Sequence, residues 1–314
     1  MSAPEAPLDA SRDSQDGALP RMNATRPLDW SIRRELWENR SLTIAPLAVA
    51  GFVLFVLVIT TFGLPRKVRA LPTMDPARQH LVAASPFSIA PSMIMMTTIL
   101  VGIFYSLDAL YGERRDRSIL FWKSLPVSDR TTVLSKAAIP LVVLPLIGLA
   151  LSFAAQVGVL LWGSVILMAS RVSPATWYSH LHLFQMPLTL VYGVFAFALW
   201  HAPIYAWLLL VSGWAKRTPL LWAVLPFAVP AAVERAAFNT THIGSLLRYR
   251  FMGAMTSAFD IPPGTAGQHG MVVDRVSQLD PAKFLRTPGL WLGLLLAAAF
   301  LAAAVRLRRY REPM

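Results

Sequence analysis

The part of the chain best equipped for chemistry is a polar interval between apolar runs, residues 113–126, which reads Glu113-Arg114-Arg115-Asp116-Arg117-Ser118-Ile119-Leu120-Phe121-Trp122-Lys123-Ser124-Leu125-Pro126. Ser118, Phe121, Trp122 and Leu125 share one face at helical spacing, and Glu113 precedes Arg117 by four residues, the favourable order for an ion pair on a helix. A short amphipathic helix of this kind offers apolar anchors inside a basic rim, which suits docking into a groove on a partner. Pro126 ends it, and Ser128 or Asp129 is placed to cap the helix that follows.

Catalytic patterns are missing. The chain has no Gly-x-x-x-x-Gly-Lys-Ser/Thr loop to cradle phosphates, no His-Glu-x-x-His pair and no Gly-x-Ser-x-Gly elbow, so it reads as a non-enzyme. It has no cysteine, which excludes disulfides and thiolate metal sites. Of the six histidines only His180 and His182 are close, without a supporting carboxylate, and they read as loop residues; no metal site is expected.

Ionisable groups inside apolar runs need a reason, since one at a bilayer centre costs at least about 2.5–3.5 kcal/mol. Asp108 lies seven residues before Arg115 on nearly the same face, which predicts a local ion pair. His201 stands mid-run beside Pro203, where it can bond a neighbouring helix or a freed carbonyl, or touch a substrate. Glu234 and Arg235 fall in the outer third of the fifth run and are candidates for shaping an outer gate, while Gln156 can bond across helices. The stretch Met93-Ile94-Met95-Met96 reads as conformable packing.

The elements that position these groups follow from composition. Of 314 residues 55% are hydrophobic and 15% charged, against about 45–50% and 25% in soluble domains, and mean hydropathy is +0.51. Six runs approach the roughly 20 residues needed to cross a hydrocarbon core: 42–64, 87–111, 132–165, 187–214, 218–238 and 289–305. The third exceeds one crossing, with Pro140, Pro145 and Gly148 able to bend it. The net charge of +12 does not call for nucleic acid. If six helices alternate, Arg33, Arg34, Arg40, the basic residues of 114–136, Lys216, Arg217 and those of 306–311 share one side, predicted to be cytoplasmic with both termini. Arg66, Lys67, Arg69 and Arg78 fall on the opposite side.

Residues 1–27 lack the apolar surface to offset ordering and read as a disordered tail without a signal-peptide core, so the first run is expected to act as an uncleaved anchor. Over 28–39, Leu28, Ile32 and Leu36 form an apolar stripe, Trp30 and Trp37 a flank, and Arg33, Arg34 and Glu35 a polar face, which predicts a helix lying along the membrane surface. The interval 239–288 is the largest outside the runs. It reads as a helix over 243–259, a Pro/Gly loop over 261–270, and a helix start at Asp280 and Pro281. No internal repeat is present.

The string 107–129, from Leu107-Asp108 through Glu113-Arg114 to Ser124-Leu125-Pro126-Val127-Ser128-Asp129, followed by Val133-Leu134-Ser135-Lys136, resembles permease subunits of bacterial type-2 ABC exporters. Leu225-Pro226 to Glu234-Arg235 and Asn239-Thr240-Thr241-His242 resemble the fifth helix of that group. The resemblance implies an all-α integral membrane protein of six transmembrane helices, with an N-terminal interfacial amphipathic helix (28–40) and a cytoplasmic coupling helix (112–126) between helices two and three. It implies one permease domain over 28–311 with a large outer loop at 239–288, set in the bacterial cytoplasmic (inner) membrane. Two such subunits, copies or paralogues, would sit in the lipid bilayer on two copies of a separate ABC ATPase that binds ATP and Mg, this chain binding no cofactor itself. Glu113, Arg114, Arg115, Arg117, Ser118, Phe121, Trp122 and Leu125 would couple to that ATPase, and Glu234, Arg235, His201 and Gln156 would border the path. The residues alone leave two other readings open: a membrane sensor or regulatory subunit that transports nothing, and a stand-alone ion-coupled carrier.

Overall fold

Long uninterrupted apolar stretches can satisfy their backbone only by internal hydrogen bonding, so they form helices. A computed structural model of the chain describes residues 25–116, 127–260 and 273–310. The coupling candidates Arg117, Ser118, Phe121, Trp122 and Leu125, the 261–270 loop and the tail up to residue 24 lie outside the described residues. In chain order the helices are α1 (Thr25–Glu38), α2 (Ser41–Thr61), α3 (Leu64–Ala70), α4 (Pro76–Asp108), α5 (Tyr111–Arg115), α6 (Asp129–Ala138), α7 (Leu144–Ala169), α8 (Pro174–Tyr178), α9 (Gln185–Trp214), α10 (Pro219–Phe238), α11 (His242–Ala258), α12 (Pro281–Arg286) and α13 (Pro288–Tyr310). Apart from these, an isolated antiparallel bridge joins Phe259 to Leu279. Six helices, counting α4 with α5 and α6 with α7 as single spans, are long and apolar enough to cross a membrane.

Two spans depart from the lengths expected of them. The second begins at Pro76, eleven residues before the expected start, because Asp75 accepts a 3.1 Å bond from the Arg78 amide and Pro76 fits the first helical turn. Capping thus extends a helix through polar residues that hydropathy leaves out. The third runs from Asp129 to Ala169 and is interrupted by a π-helical turn at Ile139–Val143 that contains Pro140, which has no amide hydrogen to give.

The span α9 lies at the centre, with Trp200, Leu209 and Val211 wholly buried, whereas on α10 only Ala223 is buried. One core joins α2, α3, α4 and α7 around Trp177, whose indole donates to the Ala83 carbonyl at 3.1 Å. Gly163 on α7 makes room for that ring, since a Cβ there would lie 2.6 Å from it. At the same end Trp200 anchors α11, donating to the Arg250 carbonyl at 2.9 Å while the Arg250 guanidinium lies 5.0 Å from its ring centroid and donates to Gly289 at 3.0 Å. Burial lowers the Arg250 pKa from its ordinary value. At the opposite end a smaller core of Leu42, Tyr105, Ile139, Leu144 and Leu209 receives Ile32 and Leu36 of α1.

Candidate functional site

At that second end the apolar core gives way to buried charge. Helix α1, expected to lie along the membrane surface, packs Ile32 and Leu36 of its stripe against the protein core, and Glu35, read as part of the polar face, is 1% exposed. The correction has a physical cause, because every oxygen of that carboxylate is partnered. Glu35 Oε1 accepts from Lys136 Nζ at 2.8 Å and from Arg34 Nη2 at 2.9 Å, and Oε2 accepts from Tyr105 Oη at 2.7 Å. Lys136 is itself 3% exposed and lies 3.1 Å from Glu113 Oε1. Arg34 comes within 3.5 Å of the same oxygen. The second oxygen of Glu113 pairs with Arg308 Nη1, and Arg308 Nε reaches Asp129 Oδ1 at 3.1 Å.

Glu35, Glu113 and Asp129 therefore meet three cations, Arg34, Lys136 and Arg308, with the more exposed Glu38 as a fourth carboxylate 3.4 Å from Arg34 Nε. Burying charge is costly, and mutual attraction offsets that cost only when every partner is in place. The cluster clasps four elements from distant parts of the chain: α1 through Arg34 and Glu35, α5 through Glu113, α6 through Asp129 and Lys136, and α13 through Arg308. Glu38, at the end of α1, has its carboxyl raised above the ordinary value by burial, against the pull of Arg34.

A second set of bonds fixes α5 to the central span. Ser212 Oγ accepts from the amides of Leu110 at 2.9 Å and Tyr111 at 2.8 Å, which the break between α4 and α5 leaves free. The buried Arg114 guanidinium donates to the Gly213 and Ala215 carbonyls at the C-terminus of α9, where the helix dipole favours a cation. Glu113 and Arg114, expected to meet a partner, are thus turned into the protein. Arg115 and Asp116 are exposed and bond each other at 2.9 Å. Asp108, expected to pair with Arg115, is exposed, and Arg115 bonds Asp116 in its place.

No family model, curated protein or solved structure matches the chain.

The remaining candidates do not gather into one site. His201 is buried and bonds the Phe197 carbonyl of its own helix at 2.8 Å, stacked on the Phe197 ring. The Glu234 carboxylate caps the start of α11, accepting from Thr240 Oγ1 at 2.8 Å and from the amides of His242 at 2.6 Å and Ile243 at 2.9 Å. It holds the sharp turn made by Asn239, whose φ is 52°. Arg235 is exposed. Gln156 bonds across helices, to the Phe87 carbonyl at 3.3 Å, and borders a largely apolar cavity of about 320 Å³ between α4, α7, α9 and α11. Met95 and Met96 line that cavity. Two arrangements went unforeseen in the sequence: the clasp, and a cluster of His80, His182 and Asp274 at the far end. The first left a trace, since Lys136 interrupts the start of an apolar run; the second left none.

Proposed function

We propose that this chain is the transmembrane permease subunit of an ATP-driven type-2 ABC exporter, working as a pair of subunits on two copies of a separate ATPase. The observation that carries the reading is the clasp. Its members Glu113 and Asp129 flank the interval 117–126 closely on either side, and its other members belong to the first and last described helices and to α6. A partner gripping Phe121, Trp122 and Leu125 would pull on α5 and α6 together. Through Lys136 and Arg308 that pull reaches α1 and α13, and through Arg114 and Ser212 it reaches α9.

An apolar hinge would dissipate such a displacement by local repacking. A desolvated cluster resists partial opening, because each broken pair strands a buried charge, so it moves as a block or changes partners in one step. ATP binding and hydrolysis on the partner would bias the bundle between two states by differential affinity for them. The cavity beside Met95, Met96 and Gln156 gives an apolar compound a place among the helices that would move. The sparse burial of α10 suits a face covered by the second permease.

The test is the double variant Arg117→Ala/Trp122→Ala. It should reach the membrane at the wild-type level yet recover little ATPase on purification, because it removes one rim charge and one anchor. Normal recovery of the ATPase with the double variant would defeat the docking role of this interval.

A further inference from the structure

His80 in the first turns of α4, His182 in the turn before α9, and Asp274 in the segment before α12 converge at the end of the bundle opposite the clasp. One ligand atom from each lies within 4.8 Å of the others. Asp274 is 2% exposed, and its Oδ2 lies 2.8 Å from His80 Nε2. Its other oxygen, Oδ1, is buried with no hydrogen-bond partner among the described residues, and so is His182 Nε2. The two imidazole rings stand 5.2 Å apart and 37° from parallel, so they converge without stacking flat. A buried acceptor oxygen and a buried ring nitrogen both lacking partners, beside a third potential ligand, are what a cation site leaves when its residues are built to hold an ion.

The segment that carries Asp274 is itself held firmly. The side chain of Gln278 accepts from the amides of Asp274 and Arg275, each at 3.0 Å, and Gln185 Oε1 accepts from the Val276 amide at 3.0 Å. On the other flank the Trp177–Ala83 bond fixes α4 one turn from His80. The ligands therefore come from a fixed frame, which is what a metal site requires.

We propose that His80, His182 and Asp274 bind one divalent transition-metal ion, zinc by the chemistry of the ligands. Two imidazoles and one carboxylate are too few oxygens for calcium or magnesium, which call for mostly oxygen shells. They match a zinc shell of three protein ligands with a fourth position open. The ion would replace the proton shared by His80 and Asp274 and would tie α4, the start of α9 and the outer segment into one unit. Asp274 also lines the cavity of about 320 Å³, so the ion would stand at its rim.

The experiment uses the full chain, purified with a histidine-free tag, stripped with chelator and titrated with zinc against a chromophoric competitor. One zinc per chain should bind, the melting temperature should rise with zinc, and affinity should fall at least tenfold in His182→Ala and in Asp274→Asn while the exposed His242→Ala binds as wild type. X-ray absorption on the wild-type zinc complex should show two imidazoles, which keeps the proposal testable if the variants fail to fold. Absence of saturable zinc binding, undiminished binding in both site variants, or a zinc shell without imidazole would each overturn it.

Discussion

Lys136 is the cation on which two buried carboxylates depend, 2.8 Å from Glu35 and 3.1 Å from Glu113. Lys136→Met keeps the apolar stem and removes the charge. It should destabilise the protein by about 3–5 kcal/mol, the usual cost of stranding a buried partner, read as a lowered melting temperature in detergent. Adding Glu35→Gln should restore part of the loss, the double variant being less damaged than the sum of the single ones by about 0.5–3 kcal/mol. Additive losses would mean that the two side chains do not form one unit. Little of this was legible in the sequence. The Leu28, Ile32 and Leu36 stripe gave the face of α1, but Glu35 lies at its edge, and nothing local says that a lysine 101 residues away neutralises it. His80 and Asp274, 194 residues apart, are a stronger case of the same limit. Only the tertiary arrangement makes neighbours of them.

At the scale of elements the break between α4 and α5 is the joint that ties α5 to α9 through Ser212. Ser212→Ala removes the acceptor of two buried or half-buried amides, which should cost about 1–3 kcal/mol for each left unsatisfied. If the joint transmits partner binding, that variant should also recover less ATPase than a variant of equal stability altered in the Trp177 core; equal recovery would confine Ser212 to a structural role. The spans were legible at this scale because apolarity and helix length both follow from the same bilayer requirement. Their ends were not, since Asp75 and Pro76 begin α4 by capping, and the arginines of 306–309 continue α13 beyond its apolar run. The helix expected over 243–259 corresponds to α11, and the start expected at Asp280 corresponds to α12, where Asp280 accepts from the Lys283 amide at 2.8 Å.

For the whole molecule the asymmetry between α9 and α10 is the informative feature: one span is enclosed by the others, and the other has a single buried residue. The chain contains no cysteine, so single cysteines introduced at Leu221 or Val229 of α10 report contact between copies without background. Oxidation in membranes should link them into dimers in higher yield than a cysteine at Leu161 of α7, which is 63% exposed. Equal yields would count against a paired arrangement through α10. The coupling claim is tested most directly by gentle purification of the tagged protein from native membranes, identification of the chains that accompany it, and assay of vanadate-sensitive ATP hydrolysis. A stoichiometric partner with a Gly-x-x-x-x-Gly-Lys-Ser/Thr loop, and activity that falls in Arg117→Ala/Trp122→Ala, is the predicted result. A chain that crosslinking shows to be without any such partner in the membrane, and that hydrolyses nothing, would contradict it.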